Sequence, residues 1–371
     1  MSPRLRNWVA VAIGIAVALV MPHVLYPTLA LDILLWGLFA VAVDLLLGFG
    51  GLLSFGHAAF WGSAAYAAAI SARAAQIPFP IAAAVGILVA LLLALPIGYL
   101  SIRRKGIYFS MVTLAFAQMV FYVANEWRPV TGGENGVQGV PRLFPGVDLQ
   151  SPLTFYYAAL PFVLLALWLT YRIVHSPFGH VLVSIRDNEA RAQALGYPTQ
   201  RYKLVAFLLS AGLAGLAGSL FSLGHGFAAL DLVHWTTSGT AVVMTILGGI
   251  GTLWGSLIGA GLVLLLRDWL STLGSTQGGI FSSLRDAPDV VTGAIFVIVV
   301  LSFRRGLWYT FRHLMQNLER RRSKAVSSSP EIGGSPKAKR GVSFSENGTP
   351  ALERPQDGAS VSPFGRQDRG D

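Results

Sequence analysis

Stretches of about 20 consecutive apolar residues recur along this chain, and no other feature limits its possible folds as strongly. A helix of that length spans the hydrocarbon core of a bilayer, where every backbone polar group must be satisfied within the segment. Of the 371 residues, 53% are hydrophobic and only 12% are charged, whereas soluble domains carry about 25% charged residues. The sequence therefore predicts an all-α, polytopic bundle of transmembrane helices.

The basic residues that flank the apolar stretches predict the topology of this bundle. Loops rich in Lys and Arg face the cytoplasm, which places the segment 176–203 inside and the segment 126–152, with few bases, outside; this outer segment is the periplasmic loop if the membrane is a bacterial inner membrane. The first apolar stretch is expected to be an uncleaved helix rather than a signal peptide, with a cytoplasmic N-terminus. Because the basic end of the chain also belongs inside, the number of crossings must be even. Counting the interrupted stretch 241–266 as two crossings gives about ten membrane segments, some of them broken or short.

The excess positive charge does not indicate binding to nucleic acid. Residues 304–371 hold 13 Lys and Arg against 7 Asp and Glu, so +6 of the net +10 lies at the end of the chain. No folded basic domain accompanies this charge. We expect a transmembrane domain over 1–318, whose last apolar stretch is 290–303, and a disordered basic tail over 319–371. The bases of this tail are available to anionic lipid, and a solvated tail without a specific function is the alternative.

The chain contains none of the motifs that membrane enzymes and ATPases display. It has no cysteine, no Gly-Lys pair from which a phosphate-binding loop is built, and no HExxH or GxSxG sequence. The sequence therefore predicts no enzymatic activity and no catalytic, cofactor-binding or metal-binding residue.

Glycines interrupt one apolar segment in each half of the chain, within Leu45–Leu53 and Ile246–Ser256. Broken helices in both halves are typical of the substrate path of a transporter, because half-helix ends present free backbone dipoles to a solute. Simple kinks at helix contacts are the alternative. The residues that we predict to line a path are the interrupting glycines and nearby polar groups: Asp44, Gly50, Gly51, Ser54, His57, Thr113, Gln118, Gly248, Gly249 and Gly251.

His57 is the histidine that lies within an apolar stretch, and it has three interpretations. It donates a hydrogen bond to a backbone carbonyl in a tight helix contact, it lines the path, or it relays protons. Small residues at a spacing of four indicate close helix packing nearby. They are Gly251, Gly255 and Gly259 in one segment and Ala211, Gly215 and Ser219 in another.

The polar segment 176–203 lies between two apolar stretches and carries a helical pattern of apolar residues. Ser184 and Asp187 resemble a capping box at its start, and Gly196 with Pro198 predicts its end. The pattern indicates a short amphipathic helix on one membrane face. Such a helix either rests in the lipid interface or docks into a groove on a soluble partner.

Four stretches together resemble the permease subunits of bacterial ATP-binding-cassette importers for branched-chain amino acids, and most closely the longer of that system's two permeases. They are LLLGFGGLLSFGHAAFWGSAAYAAA (45–69), GIYFSMVTLAFAQMVFYVANEWRPVTGGENGVQGVPR (106–142), SPFGHVLVSIRDNEARAQALGYPTQRYKLVAFLLSAGLAGLAG (176–218) and HWTTSGTAVVMTILGGIGTLWGSLIGA (234–260). They cover most of residues 35–305.

The resemblance implies that 176–203 is a cytoplasmic coupling loop that docks on an ATPase, as the EAA…G pattern of such permeases does. Here Glu189-Ala190 and Gly196 are similar to that pattern. The residues implied in ATPase coupling are Ile185, Arg186, Asp187, Asn188, Glu189, Ala190, Leu195 and Gly196, of which Ile185 and Leu195 are expected to pack.

The resemblance also implies a set of partners and a location. The partners are ATPase subunits that bind the ATP, a second homologous permease, a periplasmic solute-binding protein and membrane lipid, in the bacterial inner membrane. The expected solutes are branched-chain amino acids, with urea, short amides or other small organic solutes as alternatives. A carrier driven by an ion gradient, with Asp44 or His57 titrating, is the competing class.

Overall fold

The computed structural model describes the backbone of residues 3–276 and of Gly293, with side chains described from residue 14 to 272. The predicted span 290–303, the tail 319–371 and the cytoplasmic C-terminus therefore lie outside the described residues. The described part of the chain is mostly helical, as the sequence predicts. Its helices are α1 (Pro3–Val24), α2 (Pro27–Asp44), α3 (His57–Ala75), α4 (Phe79–Ser101), α5 (Ile107–Glu126), α6 (Arg128–Thr131), α7 (Pro152–Val174), α8 (Pro177–Asp187), α9 (Glu189–Ala194), α10 (Thr199–His225), α11 (Trp235–Gly248) and α12 (Leu253–Thr276).

Within the described residues, six helical segments are long and apolar enough to cross a membrane. They are Pro27–Phe49, Phe79–Ser101, Ile107–Glu126, Pro152–Val174, Thr199–His225 and Leu253–Thr272. This number establishes a multi-pass membrane protein. The count of about ten crossings and the cytoplasmic termini stay predictions.

The predicted glycine breaks coincide with real breaks in the helices. After α2 the chain forms one π-helical turn, Leu45–Phe49, and is then non-helical until α3 begins. The stretch 241–266 belongs to two helices, because α11 ends at Gly248 and α12 begins at Leu253. Gly249 and Gly251 between them have positive φ angles of 121° and 77°, which residues with a Cβ rarely adopt.

Helix α2 is the centre of the bundle. Apolar residues lie on every side of it, as expected of a helix that is surrounded by others. Of the most apolar 18 residues in the segment Pro27–Phe49, 83% are buried. Its ring cluster of Trp36 and Phe39 packs against Trp61 of α3. Helix α5 is the opposite case, because only 28% of its most apolar 18 residues are buried.

The two ends of the bundle are distinguished by their contacts. At one end lie 176–203 and Lys105, which forms an ion pair with Glu189; we name it the coupling-loop end. At the other end, the far end, two short strands that the all-α prediction did not include pair antiparallel: β1 (Val137–Gln138) and β2 (Phe227–Ala228). The loops 126–152 and 176–203 are thus at opposite ends, as the charge pattern requires.

Candidate functional site

The predicted coupling loop, 176–203, folds into two helices rather than one. Helix α8 starts with Pro177 and α9 starts after Asn188, whose side-chain oxygen accepts a hydrogen bond from the Arg191 amide at 2.9 Å. The proposed capping box was wrong, since Ser184 lies inside α8 and its hydroxyl donates to the His180 carbonyl. Asn188 supplies the cap instead, because its extended backbone leaves the side chain free to reach the next turn. The predicted end is confirmed: α9 stops at Ala194, and Gly196 has a φ of 86°.

Glu189 holds this loop to the rest of the bundle. Its carboxylate pairs with Lys203 of α10 at 2.7 Å and with Lys105 of the α4–α5 loop at 2.9 Å. Partial burial acts to raise the pKa of Glu189, but hydrogen bonds to the two lysines, together with their charges, outweigh it and lower the pKa below its ordinary value. Glu189 therefore bridges three segments of the chain and orients α9.

The other predicted coupling residues divide into an inner and an outer group. Ile185 is buried against the bundle, with Leu182 beside it on the same helix face. Leu195 is 72% exposed and Tyr197 is 41% exposed. The remaining predicted residues, Arg186, Asp187, Asn188, Ala190 and Gly196, are also exposed. Leu195 and Tyr197 are thus two large apolar side chains exposed in a largely polar loop, and we name this pair the coupling knob.

The two glycine breaks contact each other at the coupling-loop end, and we name this contact the glycine junction. A Cβ on Gly48 would lie 2.4 Å from the Gly251 amide nitrogen, so the backbones touch. Gly50 is buried, and the Leu46 carbonyl leaves no room for a side chain there. A Cβ on Gly51 would lie 2.6 Å from Arg186 Cγ of α8. The sequence prediction placed both breaks but gave no reason for them to meet.

Asp44 closes the glycine junction from α2. This carboxylate is fully buried, and its Oδ1 accepts a hydrogen bond from the Gly251 amide at 2.7 Å. The Thr252 amide and the Ser256 hydroxyl lie beside it. An acidic side chain at a helix N-terminus satisfies amides that have no partner within the helix. Asp44 thus caps α12 from another helix.

His57, Ser54 and Thr113 belong to a buried polar network deeper in the bundle. His57 Nε2 lies 2.7 Å from the Ser210 hydroxyl, which in turn donates to the Ala42 carbonyl. The Thr113 hydroxyl accepts from the Phe55 amide, and the Ser54 hydroxyl accepts from the Gly56 amide. This network ties the start of α3 to α2, α5 and α10. It gives His57 a hydroxyl partner in Ser210, and the Ser54 backbone also lies beside the ring.

Gln118 differs from the other predicted path residues because it is exposed. It lies near the middle of α5, on a face with Met111, Ala115 and Tyr122 that no described residue covers. In the described part of the chain, no other exposed polar side chain lies so far from the ends of a candidate span. An exposed amide at that depth is unfavourable against lipid tails.

The glycines at the predicted packing positions lie at close helix contacts. Cβ atoms on Gly255 and Gly259 of α12 would lie 2.7 Å from the Gly248 carbonyl oxygen and 2.0 Å from the Met244 carbonyl oxygen of α11. A Cβ on Gly215 of α10 would lie 2.7 Å from the Ala90 Cβ of α4. Gly248 belongs to the same contact as Gly255 and makes no contact with an open passage.

Several residues of these networks escaped the sequence-based interpretation. Lys203 and Lys105 counted only as topology signals, although both bind Glu189. Ser210 and Ser238 were not singled out, yet the Ser238 hydroxyl accepts the Ala58 amide at 2.7 Å. A serine inside an apolar helix is the available signal, since a polar group at that depth needs a partner.

Comparison with known families gives a match over residues 25–300 to the family described as the permease component of branched-chain amino acid transport systems. No solved structure matches the chain.

The individual relatives that match the chain are also permease proteins of transport systems. The chain is 28% identical over 256 residues to the high-affinity branched-chain amino acid transport system permease proteins LivM of Salmonella typhimurium and Escherichia coli K12. These alignments cover 62% of this chain and 59% of each relative. It is also 31% identical over 147 residues to an autoinducer 2 import system permease protein, LsrC, of Escherichia coli O9:H4, covering 38% of this chain and 40% of that relative.

Proposed function

The chain belongs to the family of permease components of branched-chain amino acid transport systems, and from that premise we propose that it is the coupled permease subunit of an ATP-driven importer. It is a multi-pass membrane protein and a transport permease by family, and its relatives are permeases rather than enzymes. Its proposed task is to form part of the path by which a small solute enters the cell.

The observation that carries this proposal is the construction of the coupling loop. Glu189 anchors it to two other segments, Ile185 packs it onto the bundle, and Leu195 and Tyr197 face outward. Exposed apolar groups on a firmly held support are suited to docking into an apolar groove of a partner. A helix that only rested in the lipid interface would present a longer continuous apolar face.

The partners follow from the same proposal. ATPase subunits bind the ATP and receive the coupling knob, so this chain itself needs no cofactor. A periplasmic solute-binding protein delivers the solute to the far end, and the complex lies in the bacterial inner membrane. This chain spans about 59% of the length of its LivM relatives. We therefore assign the solute and partners of those relatives to this chain only as part of the proposal.

The second permease is proposed to sit against the exposed face of α5. The predicted path residues other than Gln118 are mostly buried in contacts within the subunit, and they leave no continuous polar surface for a solute. The α5 face combines Gln118 with Met111 and Tyr122, which suits a solute that has both polar and apolar parts. We place the path there, between two permeases.

The proposed solutes are branched-chain amino acids or a similar small polar solute. The family description and two relatives support the amino acids, while a third relative is named for autoinducer 2. Urea and short amides remain the alternative, since one amide and apolar side chains along α5 also suit them. Uptake of radiolabelled leucine and urea into proteoliposomes that hold the complete complex separates the two.

The test of ATPase coupling uses affinity-tagged chain purified in mild detergent from its host. We expect the wild-type chain to bring down a nucleotide-binding ATPase and a second permease, and Leu195→Asp to lose the ATPase while it keeps the permease. Gln200→Asp is the control, because Gln200 is also exposed and lies in the first turn of α10.

Recovery of the wild-type chain alone would overturn the proposal and favour a carrier driven by an ion gradient. Equal ATPase recovery with Leu195→Asp and Gln200→Asp would show that the ATPase binds elsewhere.

A further inference from the structure

One side chain of the coupling loop enters the glycine junction. Arg186 lies on α8, and its Nη1 donates a hydrogen bond to the Gly48 carbonyl at 2.5 Å. The same nitrogen lies 3.9 Å from the position that a Cβ on Gly251 would occupy. The guanidinium therefore touches the first break and borders the second, although the two are about 200 residues apart in the chain.

The position of Arg186 depends on the glycines around it. Gly51 has a φ of 68°, and a Cβ there would overlap Arg186 Cγ at 2.6 Å. A Cβ on Gly48 would overlap both Asp44 Oδ1, at 2.2 Å, and the Gly251 backbone. The absence of a side chain at Gly51 lets α8 approach the end of the α2 segment, and its absence at Gly48 lets the second break approach.

The carbonyl that Arg186 binds is one that the helix leaves free. The last carbonyls of a helical segment have no partner within it, and π-helical turns are frequent at functional sites. Gly48 lies in the π-helical turn Leu45–Phe49. A charged donor forms a stronger hydrogen bond than a neutral one, so Arg186 is suited to hold this carbonyl.

The ion pair with Asp187 does not account for the placement of Arg186. Asp187 lies next to it in sequence and its side chain is 63% exposed, with a distance of 2.8 Å between Arg186 Nη2 and Asp187 Oδ1. Exposed pairs of this kind contribute little to stability. Of these two contacts of Arg186, the one with Gly48 joins this side chain to the membrane helices.

Asp44 makes the glycine junction respond as one unit. Its carboxylate lies on α2 four residues before Gly48 and accepts the Gly251 amide at the start of α12. A shift of Gly48 therefore also moves the contact between Asp44 and Gly251 that caps α12. Gly255 of α12 is in close contact with Gly248, and this contact transmits the shift to α11.

We propose that Arg186 is the positioning residue that transmits movement of the coupling loop to the glycine junction, and through it to α2, α11 and α12. This inference rests on the proposed function, because it supplies the step between ATPase docking and the membrane helices. Arg186 performs this role inside the permease, whereas the coupling knob performs the docking.

The experiment compares Arg186→Gln and Arg186→Lys with the control Arg191→Gln in the complete complex, reconstituted in proteoliposomes. Arg191 is an exposed guanidinium on the same loop. We expect Arg186→Gln to assemble and hydrolyse ATP within about twofold of wild type, while the solute imported per ATP falls about tenfold. Arg186→Lys, which retains a charged donor, is expected to recover part of the ratio, and Arg191→Gln to match wild type.

A second readout does not depend on transport. Since the chain has no cysteine, a single nitroxide label at Ile250→Cys, half exposed between the two glycines of the second break, reports on the glycine junction alone. We expect Arg186→Gln, but not Arg191→Gln, to increase the mobility of this label.

The outcomes separate the inference from the proposed function. A wild-type complex without ATP-dependent import would defeat the proposed function, while the label would still test the contact. Loss of the ATPase from Arg186→Gln would make Arg186 a docking residue and overturn the inference. An unchanged import ratio together with unchanged label mobility would also overturn it.

Discussion

At the scale of single residues, the glycines of this bundle have different roles according to what surrounds them. Gly248 and Gly239 lie in the same helix, α11, yet a Cβ on Gly248 would lie 1.9 Å from the Gly255 carbonyl oxygen while one on Gly239 would meet nothing within 4 Å. The obstacle at Gly248 is backbone, which cannot move aside as a flexible side chain can.

Gly248→Ala is therefore expected to destabilise the protein by about 1–3 kcal/mol, the usual cost of overpacking. Gly239→Ala is expected to be neutral or to stabilise by up to about 1 kcal/mol, because alanine favours the helix. Thermal unfolding of the two variants in the same detergent measures the difference. Equal transitions would show that α11 and α12 are not in backbone contact.

The buried hydroxyl of Ser210 is a second feature at this scale. Ser210→Ala removes the partner of both the His57 ring and the Ala42 carbonyl, and unpaired buried polar groups cost about 1–3 kcal/mol. We expect a lower unfolding temperature in detergent. Ser71→Ala is the control, because the Ser71 hydroxyl bonds only within its own helix. Equal effects of the two changes would contradict the network.

At the scale of elements, one carboxylate determines the orientation of α9. Because the pKa of Glu189 is lowered in the folded protein, its ion pairs stabilise the fold at any pH above the ordinary carboxyl pKa of about 4.3. The stabilisation is lost as the pH falls through the lowered pKa. The coupling loop is therefore expected to stay anchored throughout the physiological range.

Glu189→Gln tests this anchor. At pH 7 we expect it to lower stability by about 1–2 kcal/mol, since it removes hydrogen bonds between charged groups, with the exposed Lys105 contributing less than Lys203. The difference in unfolding temperature from wild type should shrink toward zero as the solution is acidified below pH 4.3. A difference that is constant with pH would contradict the ion pairs.

Helix α5 provides the second prediction about an element. Gln118→Ala is expected to reduce import several-fold without loss of folding or assembly, if its face lines the path. Leu92→Ala is the control, since Leu92 is 62% exposed between the exposed Leu88 and Leu95 of α4 and is expected to face lipid. Proteoliposome uptake at equal protein content measures both. Equal uptake would remove α5 from the path.

At the scale of the whole molecule, the two ends of the bundle must face opposite compartments. Val147 lies at the far end and Tyr197 at the coupling-loop end, and both are between 40% and 50% exposed. In the natural cysteine-free chain, a membrane-impermeant maleimide added to intact spheroplasts should label Val147→Cys and leave Tyr197→Cys unlabelled. Labelling of Tyr197→Cys alone would invert the topology.

Much of this architecture follows from the sequence without a structure. Helices α4, α5 and α7 each coincide with one of the long apolar stretches of the sequence. The reason is physical: apolar length, flanking charge and helix-breaking glycines act locally, because a bilayer imposes one rule on every segment. The same local signals placed both breaks and the polar coupling loop.

The tertiary structure alone decided which of these pieces meet. Nothing in the spacing of Gly48, Gly251 and Arg186 shows that they form one junction, or that Glu189 faces inward to Lys203 while Leu195 faces outward. It also separated Gln118, on an open face, from path candidates such as His57 that are buried within the subunit. Contacts between distant segments depend on how helices pack around α2, and that is a property of the assembled bundle rather than of any one stretch of sequence.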